Sequence, residues 1–257
     1  MLVKIYSSPL KVLFFFTLSI IAYLTLITPG QASTLDGTAI LLQVDKNLSP
    51  ESYEMYRKLI NIEPDGTKKE FVLYSVKKGQ NKMVALFLSP ASEKGRSTLR
   101  LNDNMWLYIP NVGKPIRITS LQSVVGGVFN NSDILRLDYS AEYDVASITE
   151  EGDFYLLDLK AKSKTIAYDT LKMSVDKKAL VPTTIECFAS SGMLIKTLYY
   201  KEPKDFGNGI IRPSVLETDS PLYKGYKSAM IYAKINQKEL ADEVFSLNYL
   251  SRVDELR

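Results

Sequence analysis

Apolar residues recur at two different intervals along this chain. Between residues 35 and 48, Ile40, Leu41, Val44 and Leu48 fall on one stripe of a helix, and Ser49-Pro50 stops it. After that helix the interval is two. Residues 71–76 and 82–88 are predicted strands rich in Val, Phe, Tyr and Leu, joined by the turn composition Lys78-Gly79-Gln80-Asn81. Tyr155, Leu157 and Leu159 alternate with Asp158 and Lys160, and Leu171, Met173 and Val175 alternate with Lys172, Ser174 and Asp176. These read as half-buried antiparallel strands. Residues 181–189 and 193–200 form a hairpin around Ser190-Ser191-Gly192, and 210–217 and 229–235 are later strands. The pattern predicts a mainly β chain of roughly ten or eleven short-linked strands, arranged as one large antiparallel barrel or sandwich.

The hairpin over residues 97–109 carries the most specific pattern. Leu99 and Leu101 alternate with Thr98, Arg100 and Asn102, and Asp103-Asn104 offers a two-residue turn. That turn sets Leu101 opposite Trp106 and Leu99 opposite Tyr108, so four large apolar side chains share a sheet face. Met105, Leu107 and Ile109 are apolar on the other face, and so the second strand has to be covered on both sides.

Residues 120–137 break the rhythm. Leu121, Val124, Val125, Val128 and Phe129 fall at helical spacing, Gly126-Gly127 interrupts them, and Ser132 caps a short turn with Ile134 and Leu135. An apolar helical insert in a β chain covers something, either as a fixed plug or as a lid hinged at the glycines.

Composition removes whole classes of chemistry. The chain has no His, which excludes a Ser-His-Asp triad, a Cys-His pair and any His-bearing zinc site, and its single residue Cys187 forms neither an internal disulfide nor a thiolate cluster. Neither a cofactor nor a metal is expected, and there is no phosphate-binding G-x-x-x-x-G-K-[ST] loop. Lys4 and Lys11, followed by the apolar run 12–27 and Thr28-Pro29-Gly30-Gln31-Ala32, have the order of an export leader with a cut after Ala32. Residues 33–257 then form one domain with 30 basic and 29 acidic residues. A charge so near zero argues against nucleic-acid binding.

The string Leu101-Asn-Asp-Asn-Met-Trp106-Leu-Tyr108-Ile-Pro110 with Lys114-Pro-Ile-Arg-Ile-Thr119 resembles the W-x-Y-x-P hairpin of the LolA-like outer-membrane lipoprotein-sorting proteins. Leu171-Lys-Met-Ser-Val-Asp176, Pro182-Thr-Thr-Ile-Glu186, the Ser191-Gly192 turn and Leu198-Tyr199 continue the resemblance, and Asp242-Glu-Val-Phe245-Ser-Leu247 resembles the family's closing strand.

The resemblance implies an incomplete antiparallel barrel with helices over its mouth. It implies a monomeric periplasmic carrier that shelters lipid or lipoprotein acyl chains, loaded at an inner-membrane ATP-driven complex and unloaded at an outer-membrane acceptor. Under it the cavity lining comprises Leu99, Leu101, Trp106 and Tyr108 with Phe71, Leu73 and Phe87, and the lid comprises Leu121, Val124, Val125, Gly126, Gly127, Val128 and Phe129. Family members latch the lid with an arginine just before a proline, where this chain has Ser89-Pro90. The rival reading is a non-enzymatic envelope module that contacts a membrane exporter. A lipid hydrolase is disfavoured because serine lacks its usual base.

Overall fold

Asp36 opens helix α1 (Gly37–Leu48) by accepting hydrogen bonds from the backbone N–H groups of Thr38 and Ala39. The helix buries Leu41, Val44 and Leu48, the stripe its spacing predicts, together with Asp45. The computed structural model describes Met1 and Leu35–Arg257; residues 2–34, and with them the leader reading, lie outside the description. Leu35–Arg257 form one unit.

Thirteen strands follow. They are β1 (Ser52–Ile62), β2 (Lys68–Lys78), β3 (Lys82–Ser89), β4 (Ser97–Leu101), β5 (Asn104–Tyr108), β6 (Ile116–Ile118), β7 (Tyr143–Glu151), β8 (Phe154–Ala161), β9 (Thr170–Asp176), β10 (Pro182–Phe188), β11 (Leu194–Asp205), β12 (Ile211–Asp219) and β13 (Lys227–Gln237). All pair antiparallel in one sheet, in the order β6-β5-β4-β3-β2-β1-β13-β12-β11-β10-β9-β8-β7, so among the described residues β6 and β7 are edges that do not meet and the barrel stays open. Met105 near one edge and Leu157 near the other belong to the same buried cluster, so the sheet curls around a single interior.

The ten predicted strands are all present, and β1, β6 and β7 are additional. Strand β1 alternates strictly between buried and half-buried positions, but its buried series is Tyr53, Met55, Arg57, Leu59 and Asn61. Two polar residues within that series hide its period. Strand β6 is three residues long, and β7 is exposed over most of its length.

The hairpin of β4 and β5 turns one residue earlier than expected, at Asn102-Asp103, with Asn102 in the left-handed region at φ 51°. Leu99 therefore faces Trp106 and Ser97 faces Tyr108. The register moves by two positions, which preserves the parity of the faces.

The C-terminal segment is a second correction. Residues 242–247, which resemble a closing strand, begin two 3-10 helices, Asp242–Phe245 and Leu247–Leu256. Val244, Phe245, Tyr249, Leu250 and Val253 recur at intervals suited to a helical face, and they bury themselves against the outer face of β2–β4. Ser97 ties the sheet to this cover by donating to the Leu250 carbonyl at 2.7 Å.

Candidate functional site

The curled sheet separates the residues predicted to line a cavity. Phe71, Leu73 and Phe87 face the interior, with Phe71 and Phe87 meeting edge to face at 6.2 Å. Leu99, Leu101, Trp106 and Tyr108 belong to the other cluster, on the outer face beneath the C-terminal 3-10 helices. These four share a face as their spacing requires, but it is the convex one. Their polar partner Arg100 points inward instead. It is 2% exposed and pairs with Glu142, while its Nη1 donates to the Leu135 carbonyl at 3.2 Å. Strand β5 needs cover on both sides, but core and covering helix have exchanged places relative to expectation.

Residues 120–142 fill the interior. The predicted helix over 120–129 is absent: Ser123 and Asn130 form an isolated β-bridge, with Val125 (φ 47°) and Gly126 (φ 76°) left-handed between them. Helical turns come later, as α2 (Asn131–Ile134) and α3 (Tyr139–Glu142). Asn130, rather than Ser132, caps the first of these in a capping box with Asp133. Of the predicted lid residues, Val124, Val128 and Phe129 are buried, whereas Leu121 is exposed. A Cβ at Gly127 would lie 2.0 Å from the Asn61 side-chain oxygen, so a larger residue there would displace the Asn61 amide.

Side chains on the wall hold this plug mainly by its backbone carbonyls. Asn61 donates to Val125 O at 3.2 Å, Arg57 to Ile134 O at 2.6 Å, and Lys196 to Val128 O at 2.5 Å and to the Asp133 carboxylate at 2.8 Å. Lys77 is 2% exposed and pairs with Asp138 at 2.6 Å, whereas its neighbours Lys78 and Lys82 pair with Asp242. Asp45 of α1 accepts the Tyr139 and Ser140 backbone N–H groups, both at 2.8 Å.

A cavity of about 20 Å³ touches Ser132, Arg136, Tyr139, Tyr143 and Cys187. A larger groove of about 860 Å³ lies at the α1 and α3 end, lined by polar residues such as Lys46, Glu51, Asn81, Asp103, Asp138 and Lys162. The open apolar hollow expected from sequence is thus occupied by residues 120–142. Among the described residues no helix is long and apolar enough to cross a membrane, and no group of three or more His, Cys, Asp and Glu could hold a metal ion.

A family model described as "Uncharacterized protein"-like matches residues 79–252, more than half of the chain. The chain belongs to that family. No curated protein matches it. Among solved structures, a LolA superfamily protein from Nitrosomonas europaea has a TM-score of 0.74 at 24% identity, covering 82% of this chain and 97% of its own. A DUF1329 family protein from Desulfovibrio piger has a TM-score of 0.72 at 19% identity, with 83% and 97% covered. A putative outer membrane lipoprotein-sorting protein domain from Vibrio parahaemolyticus has a TM-score of 0.71 at 18% identity, with 84% and 98% covered. The fold is LolA-like.

Within this LolA-like fold, the plug contacts come from residues that sequence reasoning passed over. Ser89-Pro90 supplies no arginine, yet Arg57 from β1 and Arg100 from β4 both bond to plug carbonyls. Arg57 could have been noticed only by its position, because a cation at an inward place in an alternating strand needs a partner.

One of the plug's supports is set to respond to pH. Burial is the main cause of the rise in the Asp45 pKa, from 3.8 to about 6. A carboxyl with a raised folded pKa favours the protonated native state, so its contribution is greatest in acid and is lost as pH climbs from about 3.8 through 6. Lowering the pH from 7 to 5 should stabilise the protein relative to Asp45→Asn by about 1 kcal/mol. Denaturant titrations at the two pH values measure this, and a pH-independent difference between the proteins would contradict it.

Proposed function

We propose that this protein is a non-enzymatic periplasmic carrier that shelters the acyl chains of lipoproteins or other lipids between the inner and outer membranes, and that residues 120–142 fill its interior when no cargo is bound. The observation that carries this reading is the way the plug is attached. Its apolar residues lie against an apolar wall, contacts that hydrocarbon can take over, while a few wall side chains hold its carbonyls, bonds that water or a polar headgroup would take over when the plug leaves. Val125, a β-branched residue in the left-handed region, adds strain of about 1–3 kcal/mol that is relieved when the tip lifts. Burying a sixteen-carbon chain is worth roughly ten kcal/mol at about 0.8 kcal/mol per methylene, which is set against the plug's own buried apolar contacts. Loading and delivery partners, an inner-membrane ATP-driven complex and an outer-membrane acceptor, belong to the same proposal.

A competitive titration with a fluorescent fatty acid tests it. The expected result is saturable binding without a shift in the emission of Trp106, which lies on the convex face away from the plug. No binding at any probe concentration below micellisation would overturn the reading. A specific observation favours the rival, an envelope module that contacts an exporter: a groove of about 860 Å³ bearing charged and polar side chains such as Lys46, Glu51 and Asp103 lies at the α1 and α3 end. Binding of a membrane exporter by protein that takes up no fatty acid would decide for it.

A further inference from the structure

The cations buried in the interior divide into two groups. Lys77, Arg100 and Lys196 are each neutralised by a carboxylate, from Asp138, Glu142 and Asp133 respectively. Arg57 and Arg212 are as deeply buried, at 3% and 1% exposed, and neither forms an ion pair among the described residues. Arg57 donates to the Met230 sulfur at 3.3 Å, the Ser75 hydroxyl at 3.0 Å and the Ile134 carbonyl at 2.6 Å, which leaves its Nε without a partner. Arg212 donates to the Leu48 carbonyl and to Pro213 O at 3.3 Å, and its Nη2 is likewise unpartnered.

Both guanidinium groups converge on Tyr232. Arg57 sits directly opposite it across β1 and β13, and the Arg212 guanidinium carbon lies 4.1 Å from its ring centroid. A third cation comes from the plug: Arg136 stacks at 5.0 Å over Tyr139 and donates to the Tyr200 hydroxyl at 2.8 Å. Burial alone would raise the Tyr232 phenol, but Arg212, Arg136 and Arg57 outweigh it and bring its pKa below the ordinary value. A structural role accounts for some of the bonds, since Arg212 reaches the carbonyl end of α1, where a cation is favoured. It accounts for neither the uncompensated charge nor the two unpartnered buried donors, which native interiors rarely tolerate.

We propose that the interior around Tyr232 binds the anionic head of an amphiphile, a carboxylate or a phosphate monoester, between the wall residues Arg57 and Arg212, with its tail in the space that the plug vacates. A planar guanidinium offers paired donors matched to the two oxygens of such a head. The head takes over the bond that Arg57 now makes to the Ile134 carbonyl. The tail part of this inference rests on the carrier reading, whereas the anion site does not.

The test measures binding of dodecyl phosphate, laurate and dodecanol to the protein as purified from the cell envelope by isothermal titration, with inorganic phosphate followed by thermal shift. The two anionic amphiphiles should bind at least tenfold tighter than dodecanol, and Arg212→Met should abolish the preference while keeping the thermal transition cooperative. The comparison among ligands on the unaltered protein stands even if the variant does not fold. Equal affinity for dodecanol and laurate, or a preference that survives in a folded Arg212→Met protein, overturns the anion site and leaves the carrier reading intact. Stabilisation by inorganic phosphate that depends on Arg212, without uptake of any amphiphile, supports the anion site and overturns the carrier reading. Failure of all four ligands overturns both.

Discussion

Replacing Glu142 with alanine should lower stability by about 3–5 kcal/mol, because it strands a buried cation. Arg100 is 2% exposed and Glu142 is 6% exposed, and their ion pair is the point where β4 meets the end of the plug. Without the carboxylate, the guanidinium keeps only the Leu135 and Asn102 carbonyls as acceptors. In a domain of this length each kcal/mol moves the midpoint by about 2–4 °C, so the melting temperature should fall by roughly 10 °C. The double replacement Arg100→Met with Glu142→Leu removes both charges and should recover most of the loss, since a buried pair is often no more stabilising than well-packed apolar residues. Thermal unfolding followed by circular dichroism measures all three proteins. A single-variant loss below about 1 kcal/mol would show that the pair is not buried in solution.

Phe129→Ala should also cost about 3–5 kcal/mol, and here a ligand should restore part of it. Phe129 is completely buried in the interior cluster at the centre of the plug. Its truncation leaves an apolar void that water does not occupy, within the cluster that holds the wall residues Leu73 and Phe87. A medium-chain fatty acid should therefore raise the melting temperature of Phe129→Ala by several degrees more than that of the unaltered protein, at equal ligand concentration. Equal shifts would mean that hydrocarbon does not enter where Phe129 sits. The matching control, Trp106→Phe on the convex face, should leave the ligand-induced shift unchanged, because that face packs on the C-terminal 3-10 helices.

The two residues also differ in how readable they were. Phe129 stands in an apolar run interrupted by Gly126-Gly127, and its hydrophobicity marks it as a residue to be buried. Glu142 looks like an ordinary surface acid, and Arg100 occupies a polar place in a regular alternation. Nothing local marks them as a buried pair, since the pairing spans 42 positions and exists only once the sheet has curled. Arg57 and Asn61 in β1 pose the same difficulty: two polar residues at inward positions conceal the strand and also form its contacts with the plug.

Helix α1 follows from the spacing of Leu41, Val44 and Leu48, and the antiparallel strands from alternations such as Leu171, Met173 and Val175. That β5 would be covered on both sides was also legible, because apolar residues occupy both of its parities. Which side became the interior was not. Alternation with period two is symmetric between the two faces, so Leu99 with Trp106 and Arg100 with Met105 are equally good candidates for the inside until something outside the hairpin breaks the tie. The tie is broken by segments distant in sequence, the C-terminal 3-10 helices that claim the apolar face and Glu142 with the Leu135 carbonyl that satisfy Arg100 on the other. Only the closed tertiary structure brings those partners within bonding distance, and the polarity of the interior was decided there.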